Sequence, residues 1–442
     1  MTKKVALINP GRGGRFDAHE PLQLGFIASS LIEKGVEVKI IDEVAGDNVE
    51  LGIKDYKPDI AGITATTPFV EHAYRHADFC RQQGVLTVLG GVHATVMTEE
   101  ALRHADIVVK GEGEQAMLDI VSGGAREKVI TRDYIRDLDT LPPPAYQLMN
   151  MDFYLNARER APYNTALIFV PKGYKVASML TGRGCPYSCI FCHNTWRGMP
   201  FRFNSPERVV RDMKYLIDTY KTQAIAFFDD DFFANKERAK KIFQLIREDN
   251  LGIIWGCNCR VNTIDEQILK EAFQAGCRQI AFGFESGSQK MLDIMQKRTK
   301  VEENKKAVEL CKEAGIICVA FFILGLPHET KADIQLTRKF IMENDIDCIG
   351  LCMATPFPGT QIWDWCKEKG FIPQIINWKV FSPDDTQIRV SEFLTVDEIK
   401  RLRSRIFFDF AMKPASLARF LKMSLSSPAQ AAKKVLRIFR HI

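Results

Sequence analysis

The chain has 442 residues, 46% of them hydrophobic and 26% charged, and at about 100–200 residues per domain this length implies two or three domains with ample core. Sixty Lys and Arg against 55 Asp and Glu leave a formal charge of only +5, which gives no global case for nucleic-acid binding. No apolar run reaches the roughly 20 residues that span a bilayer, and the start MTKKVALINPGRGG has too short an apolar run for a secretion signal, so the chain is expected in the cytoplasm.

Strand and helix alternate through the first ~125 residues. VALINP (5–10) reads as a buried strand, followed by a helix over 21–34 and the strand VEVKIID (36–42). DIAGITATT (59–67), a helix over 71–83, VLTVLGG (85–91) and DIVVKGEGE (106–114) continue the series. Apolar β-branched runs between amphipathic helices imply a parallel sheet covered on both faces, a doubly wound Rossmann-like domain over residues 1–135. RDLDTLPPPAYQLMN (136–150) breaks this rhythm, because three successive prolines continue neither a helix nor a central strand. It opens a linker over 136–165.

A second series follows over 166–370. Its strands are VASMLTG (176–182), QAIAFFDD (223–230), GIIWGCNCR (252–260), QIAFGFES (279–286), IICVAFFILG (316–325) and CIGLCMA (348–354). Helices are expected over 206–220, 236–250, 265–275, 302–314 and 331–343. Six βα units of about 30 residues fit a partial (β/α)6 TIM barrel better than another open sheet, although periodicity alone permits either. Residues 371–442 read as mainly helical, and 411–442 carry seven Lys or Arg and no acid. LARFLKMSL (417–425) and AAKKVLRIFRHI (431–442) are basic and amphipathic, suited either to packing on the barrel or to an anionic membrane surface.

Of twelve cysteines, most lie in apolar segments, such as Cys80, Cys311, Cys318 and Cys348, and read as small buried hydrophobes. One group is tightly spaced. TGRGCPYSCIFCHNTWRG (181–198) ends the first barrel strand with Cys185, Cys189 and Cys192 as Cys-x3-Cys-x2-Cys. Three thiolates on one loop can each bind one corner iron of a cubane, leaving a fourth iron without a protein ligand. The bland alternative is a zinc site completed by His193 or a distant residue.

CPYSCIFC resembles the hallmark of the radical S-adenosylmethionine (SAM) superfamily, with Phe191 as the aromatic before the third cysteine, and the likeness runs over roughly residues 170–370. The resemblance implies a 4Fe–4S cluster whose open iron is chelated by SAM, and reductive cleavage to methionine and a 5′-deoxyadenosyl radical. FFDDDFF (227–233) resembles the family's acidic pattern near the methionine end of SAM, which gives Asp229 and Asp230 to its ammonium; the same run alternatively caps the next helix. Arg260 ends the third strand and is suited to the SAM carboxylate. In GFESGS (283–288), Glu285, beside Ser286, resembles the acidic contact to the ribose or amino group. ILGLPHET (323–330) and PFPGT (356–360) resemble the segments after the fifth and sixth strands.

Three strand ends of the first domain are small and polar: TATT with Thr64 and Thr66, GGVHAT with Gly90, Gly91 and His93, and KGEGE with Gly111, Glu112, Gly113 and Glu114. Ligands of doubly wound sheets bind outside such ends. No Gly-x-Gly-x-x-Gly follows the first strand, which disfavours a dinucleotide. The trio resembles the cobalamin-binding domain of class B radical SAM methylases and their relatives, and implies a corrinoid whose nucleotide tail enters the sheet while the corrin faces the barrel. No Asp-x-His-x-x-Gly is present, so His93 is not assigned to cobalt. The alternative is a domain of structural use only.

The resemblance implies a cobalamin-dependent methyltransferase acting on an unactivated carbon of a small-molecule or lipid-like substrate, with an external reductant such as flavodoxin or ferredoxin. Its rivals are ring formation, carbon–carbon coupling or oxidation with the same cofactors, and, from another class, a corrinoid carrier or electron-transfer protein.

Overall fold

The computed structural model describes residues 3–11, 19–124, 127–156, 167–168, 170–171, 173–193 and 199–417. The first sheet contains β1 (Lys4–Asn9), β2 (Glu37–Asp42), β3 (Ile60–Thr64), β4 (Leu86–Gly90), β5 (Ile107–Lys110) and β6 (Val129–Thr131). Its order is β2-β1-β3-β4-β5-β6, and every pairing is parallel. The side-chain period of two sends Val5 and Leu7 into one core layer, and Ala6 and Ile8 into the other. Helices therefore cover both faces, among them Leu22–Glu33 and Val70–Gln82.

The second sheet contains β7 (Val176–Met179), β10 (Ala224–Phe227), β11 (Ile254–Cys259), β12 (Cys277–Glu285), β13 (Ile317–Leu324) and β14 (Cys348–Met353). Between β7 and β10 lies a separate antiparallel ribbon of β8 (Gly182–Arg183) and β9 (Arg202–Phe203). The large sheet is parallel and its strands follow chain order without reversal. A doubly wound sheet reverses its order at a switch point, so this is the partial TIM barrel. Ile225, Phe227, Trp255, Phe282 and Phe322 pack against the helices. Residues of the opposite parity, including Gly256, Gly283, Phe321 and Gly350, face the lumen. Leu167 and Val170 close one end of it against Ala224 and Ala226.

The unpaired edge of β7 is covered rather than exposed. Both carboxylate oxygens of Glu20, from the first domain, accept from the Ser178 amide at 3.2 Å. Tyr146, from the linker, donates to the Ser178 carbonyl at 3.4 Å. Burial raises the Glu20 pKa, and its hydrogen bonds to Ser178 oppose that shift.

After the barrel, the longest helix among the described residues is Val396–Met412, with Thr395 and Glu398 forming a capping box at its start. Before it the chain is irregular apart from the turn Trp378–Val380. Trp363, Trp378 and Phe381 hold this stretch in place by packing into the first domain's core. Apart from Leu417, the basic stretches 417–425 and 431–442 lie outside the described residues. Among the described residues no helix is long and apolar enough to cross a membrane.

Candidate active site

The cysteine loop leaves the C-terminal end of β7 and is closed at its neck by the β8–β9 ribbon, where Arg183 pairs in register with Arg202. Gly184 adopts φ +86°, and a Cβ there would sit 2.8 Å from the Pro200 carbonyl, so the neck has room only for glycine. Within the loop Cys189 is buried, while Cys185 and Cys192 are half-buried. The Cys192 amide donates to the Cys189 carbonyl at 3.1 Å. Two further backbone bonds tie the loop to the barrel, Ile190 to Met295 at 3.1 Å and Ile362 to Ile190 at 3.3 Å. Phe191 packs beside Ile190 on a cluster that includes Met291 and Leu326. Burial raises the Cys185 thiol pKa.

Two thiolates on one zinc, each at about 2.3 Å, would lie about 3.8 Å apart. Among the described residues, the only group of three or more Cys, His, Asp or Glu ligand atoms within 4.8 Å of one another is Glu43, His72 and His76. The three thiols thus do not all lie within 4.8 Å of one another. The Glu43 group lies elsewhere, beyond β2, and Arg75 already donates to Glu43 there at 3.1 Å. A cation thus already pairs with that carboxylate.

The acidic run after β10 alternates in burial, with Asp229 in, Asp230 out and Asp231 in. Asp229 does not point to a ligand. Its oxygens accept from the Thr181 amide at 2.6 Å, the Gly182 amide at 3.1 Å and the Thr181 hydroxyl at 2.5 Å, so it braces the approach to the cysteines. Burial raises its pKa, with Arg238 the foremost opposing influence. Asp231, which the motif reading passed over, keeps one buried oxygen without a partner. Its other oxygen accepts from Thr263 at 3.1 Å. Burial lifts its carboxyl pKa to about 6.

Arg260 ends β11 buried, its guanidinium 3.6 Å from the centre of the Tyr187 ring. It donates to Cys189 Sγ at 3.6 Å and to the Lys297 carbonyl, while its Nε has no partner. Glu285 has φ +61° and pairs with the buried Lys297 ammonium at 2.7 Å. Ser286, expected at the cofactor, has protein partners in the structure. It is fully buried with its hydroxyl 3.1 Å from that of Thr337, and it accepts from the Ser288 amide.

Glu329, in the segment after β13, is wholly buried and accepts from the Gly325 and Leu326 amides. Burial raises its pKa from 4.5 to about 8. Across that window the folded protein keeps a proton that the unfolded chain has lost, so stability falls as pH rises. Glu329→Gln cannot titrate. Between about pH 5 and pH 8 the wild-type thermal midpoint should therefore decline relative to that of the variant. Parallel profiles would contradict this assignment.

In the first domain, Thr64, Gly90 and Gly91 meet at the ends of β3 and β4. Gly91 has φ +89°, and a Cβ there would lie 2.9 Å from both the Ala65 amide and the Thr64 hydroxyl. Gly111 has φ +86° and donates to Thr95 at 3.2 Å, while Thr95 donates to the Gly91 carbonyl at 2.8 Å. These half-buried ends form a cradle with little side chain in it, which fits a bulky ligand approaching the backbone. Thr66 precedes the turn Thr67–Phe69 without capping it through its side chain.

Four residues of this domain expected at the cofactor have other partners in the structure. His93 is fully buried, 3.1 Å from the Thr67 hydroxyl and edge-on to Trp378, so it fills the seam with the C-terminal segment. Gly113 turns inward, where a Cβ would meet Ile27 at 2.7 Å. Glu112 accepts from Arg183 at 2.9 Å, from Arg202 at 3.0 Å and from the Ile135 amide at 2.8 Å. Glu114 accepts from Arg183 at 2.7 Å. Both carboxylates are therefore committed to the neck of the cysteine loop.

Two family models match the two sheets in turn, a B12 binding domain over residues 15–121 and the radical SAM superfamily over residues 179–341. The chain is 32% identical to an uncharacterized methyltransferase, PH0819, of Pyrococcus horikoshii, over 90% of this chain and 89% of that one. The chain belongs to the cobalamin-binding radical SAM family. It is accordingly an enzyme, with a 4Fe–4S cluster, SAM and cobalamin as its cofactors. An anaerobic magnesium-protoporphyrin IX monomethyl ester cyclase of Rubrivivax gelatinosus is 28% identical over 79% of this enzyme and 66% of its own length, so relatives include chemistry without methyl transfer. The structure of the cobalamin-dependent SAM radical enzyme OxsB superposes with a TM-score of 0.72 at 16% identity, covering 92% of this enzyme and 67% of that chain, and shares its fold. Membership in the family sets aside the corrinoid carrier.

Proposed function

We propose that the enzyme transfers a methyl group to an unactivated carbon of an apolar small molecule. One observation carries the reading. The C-terminal ends of both parallel sheets, one bearing the cysteine loop and the other the glycine cradle, are joined by Arg183 and Arg202 on Glu112 and Glu114. Both cofactors then open onto one cleft. When bound, the reduced cluster supplies the electron that cleaves SAM, and the corrinoid supplies the methyl group. The electron comes from an external donor of the flavodoxin or ferredoxin class.

The chain's own residues bind, orient and exclude water. Cys185, Cys189 and Cys192 hold the cluster. Arg260, with its unpartnered Nε, takes the SAM carboxylate. Asp231 and the exposed Asp230 face the ammonium, while Asp229 braces the loop behind them. Glu285 is held for the ribose side by Lys297. Thr64, Gly90, Gly91 and Gly111 line the corrinoid's approach. The acceptor's character follows from the lumen: Phe321 is exposed there, beside Ile323, Gly283, Gly350 and Cys352, which favours an apolar, lipid-like molecule.

The test is anaerobic reconstitution with cobalamin, SAM, a reductant and a panel of apolar acceptors. Methylated product with both S-adenosylhomocysteine and 5′-deoxyadenosine supports methyl transfer. 5′-Deoxyadenosine without S-adenosylhomocysteine supports the second reading, ring formation or oxidation, which the likeness to the cyclase favours. No cleavage of SAM would overturn both.

A further inference from the structure

The β8–β9 ribbon contains an anomaly. Arg183 and Arg202 are register partners in a two-rung ribbon. Like charges directly opposite each other destabilise such a pair. Here both guanidiniums are nearly buried, with side-chain exposures of 13% and 5%. Water cannot screen them, and the ribbon's two short rungs cannot compensate.

The compensation comes from the other domain. Glu112 bridges the two arginines, and Glu114 takes the remaining face of Arg183, with side-chain exposures of 10% and 6%. Two positive charges meet two negative ones, so the network is neutral. Arg202 also donates to the Ile135 carbonyl at 2.5 Å, while the Ile135 amide donates to Glu112. Rings cover the outer sides, Phe26 at 5.0 Å from Arg183 and Tyr134 at 5.3 Å from Arg202. Every one of these partners belongs to the first domain or its exit, and none to the barrel. The neck of the cysteine loop is thus closed by charges that only the corrinoid-binding domain provides.

We propose that Glu112 and Glu114 are positioning residues that fix the cluster-bearing loop relative to the corrinoid-binding domain, so that their loss lets the two cofactors drift apart. The proposal rests on the reading that both cofactors share one cleft, but not on which product forms. It differs from a role in holding cobalamin, because both carboxylates are engaged by Arg183 and Arg202. It also differs from a role in holding the cluster, because all three cysteines lie beyond the neck.

The experiment reads the cofactors' separation directly. Holoenzyme carrying the one-electron-reduced cluster and the corrinoid in its paramagnetic Co(II) state is examined by electron paramagnetic resonance. In the wild type the two spins should couple, which splits or broadens both signals. E112Q/E114Q keeps shape but removes both negative charges. At unchanged iron and cobalamin content the double variant should lose that coupling, and E114Q, which leaves Arg183 with one partner, should lose part of it. Restoring one charge, in E112D/E114Q, should bring coupling back toward the level of E114Q. Unchanged coupling in the loaded double variant overturns the proposal. If the double variant fails to load both cofactors, E114Q decides, and full wild-type coupling there overturns it equally. Absence of coupling in the loaded wild type would instead count against the shared cleft. No arm depends on the acceptor, so failure of the methylation reading leaves this result interpretable.

Discussion

Alanine at Cys185, Cys189 or Cys192 is expected to abolish the broad absorbance near about 400 nm that a 4Fe–4S cluster gives after anaerobic reconstitution. In the proposed assignment each of the three thiolates would hold one iron and SAM would take the fourth, so no spare thiolate on the loop takes over. His193, next to the third cysteine, is half-buried against Phe357 and supplies no thiolate. The same substitution at Cys257, Cys311 or Cys366 should leave the absorbance intact. Those thiols are buried in core clusters, and their loss is felt as packing. Iron content and the spectrum together decide the matter. A cluster retained in any of the three single variants would refute the assignment, and a cluster lost from Cys311→Ala would show that the readout follows folding instead.

The contrast between these two sets of cysteines marks what was legible in the sequence. A ligand set confined to eight consecutive residues is a local signal, and its spacing alone specifies the chemistry. The strands were legible for a similar reason. Each long strand of a parallel sheet is buried on both faces and reads as an apolar run, so the expected spans matched within a few residues. Short elements carried no such signal. The three-residue β6 and the two-residue β8 and β9 are too brief for any periodicity, and the helix Val49–Tyr56 was missed as well.

The site residues divide along the same line. In GEGE the sequence displays two carboxylates at a strand end but not their partners. Those partners lie 69 to 90 residues away, in a ribbon that periodicity could not reveal. Glu112 and Glu114 therefore read as ligand contacts in the sequence, while the structure pairs them with Arg183 and Arg202. In FFDDDFF three adjacent acids look equivalent. The backbone at the strand end makes them alternate, so Asp229 faces amides while Asp231 keeps a free oxygen. His93 looked polar and accessible, but its short helix turns it toward Trp378, 285 positions further along the chain.

The second large effect is expected at Arg238, which no motif singled out. It lies in the first turn of the helix Lys236–Glu248, where the Asn235 side chain accepts from its amide at 3.0 Å. Its guanidinium donates to the Asn204 carbonyl at 2.8 Å, the Thr181 carbonyl at 3.0 Å and the Thr181 hydroxyl at 2.8 Å. It also lies 4.0 Å from Asp229, with both side chains only 5% exposed. Arg238→Met keeps the length and the contacts with Phe203 and Phe232, but leaves Asp229 buried without a counter-charge. Removing one partner of a buried pair costs roughly 3–5 kcal/mol. At about 2–4 °C per kcal/mol for a large domain, the thermal midpoint should fall on the order of 10 °C. Because Asp229 braces Thr181 and Gly182, directly before the neck, cluster loading should fall with it. Asp229→Asn still accepts from both amides and carries no charge. Adding it to Arg238→Met should therefore recover a substantial part of the loss, and a double-mutant cycle measures that part. Additive losses in the double variant would show that the two charges do not act as a pair, and that Arg238 stabilises the loop through its carbonyl contacts alone.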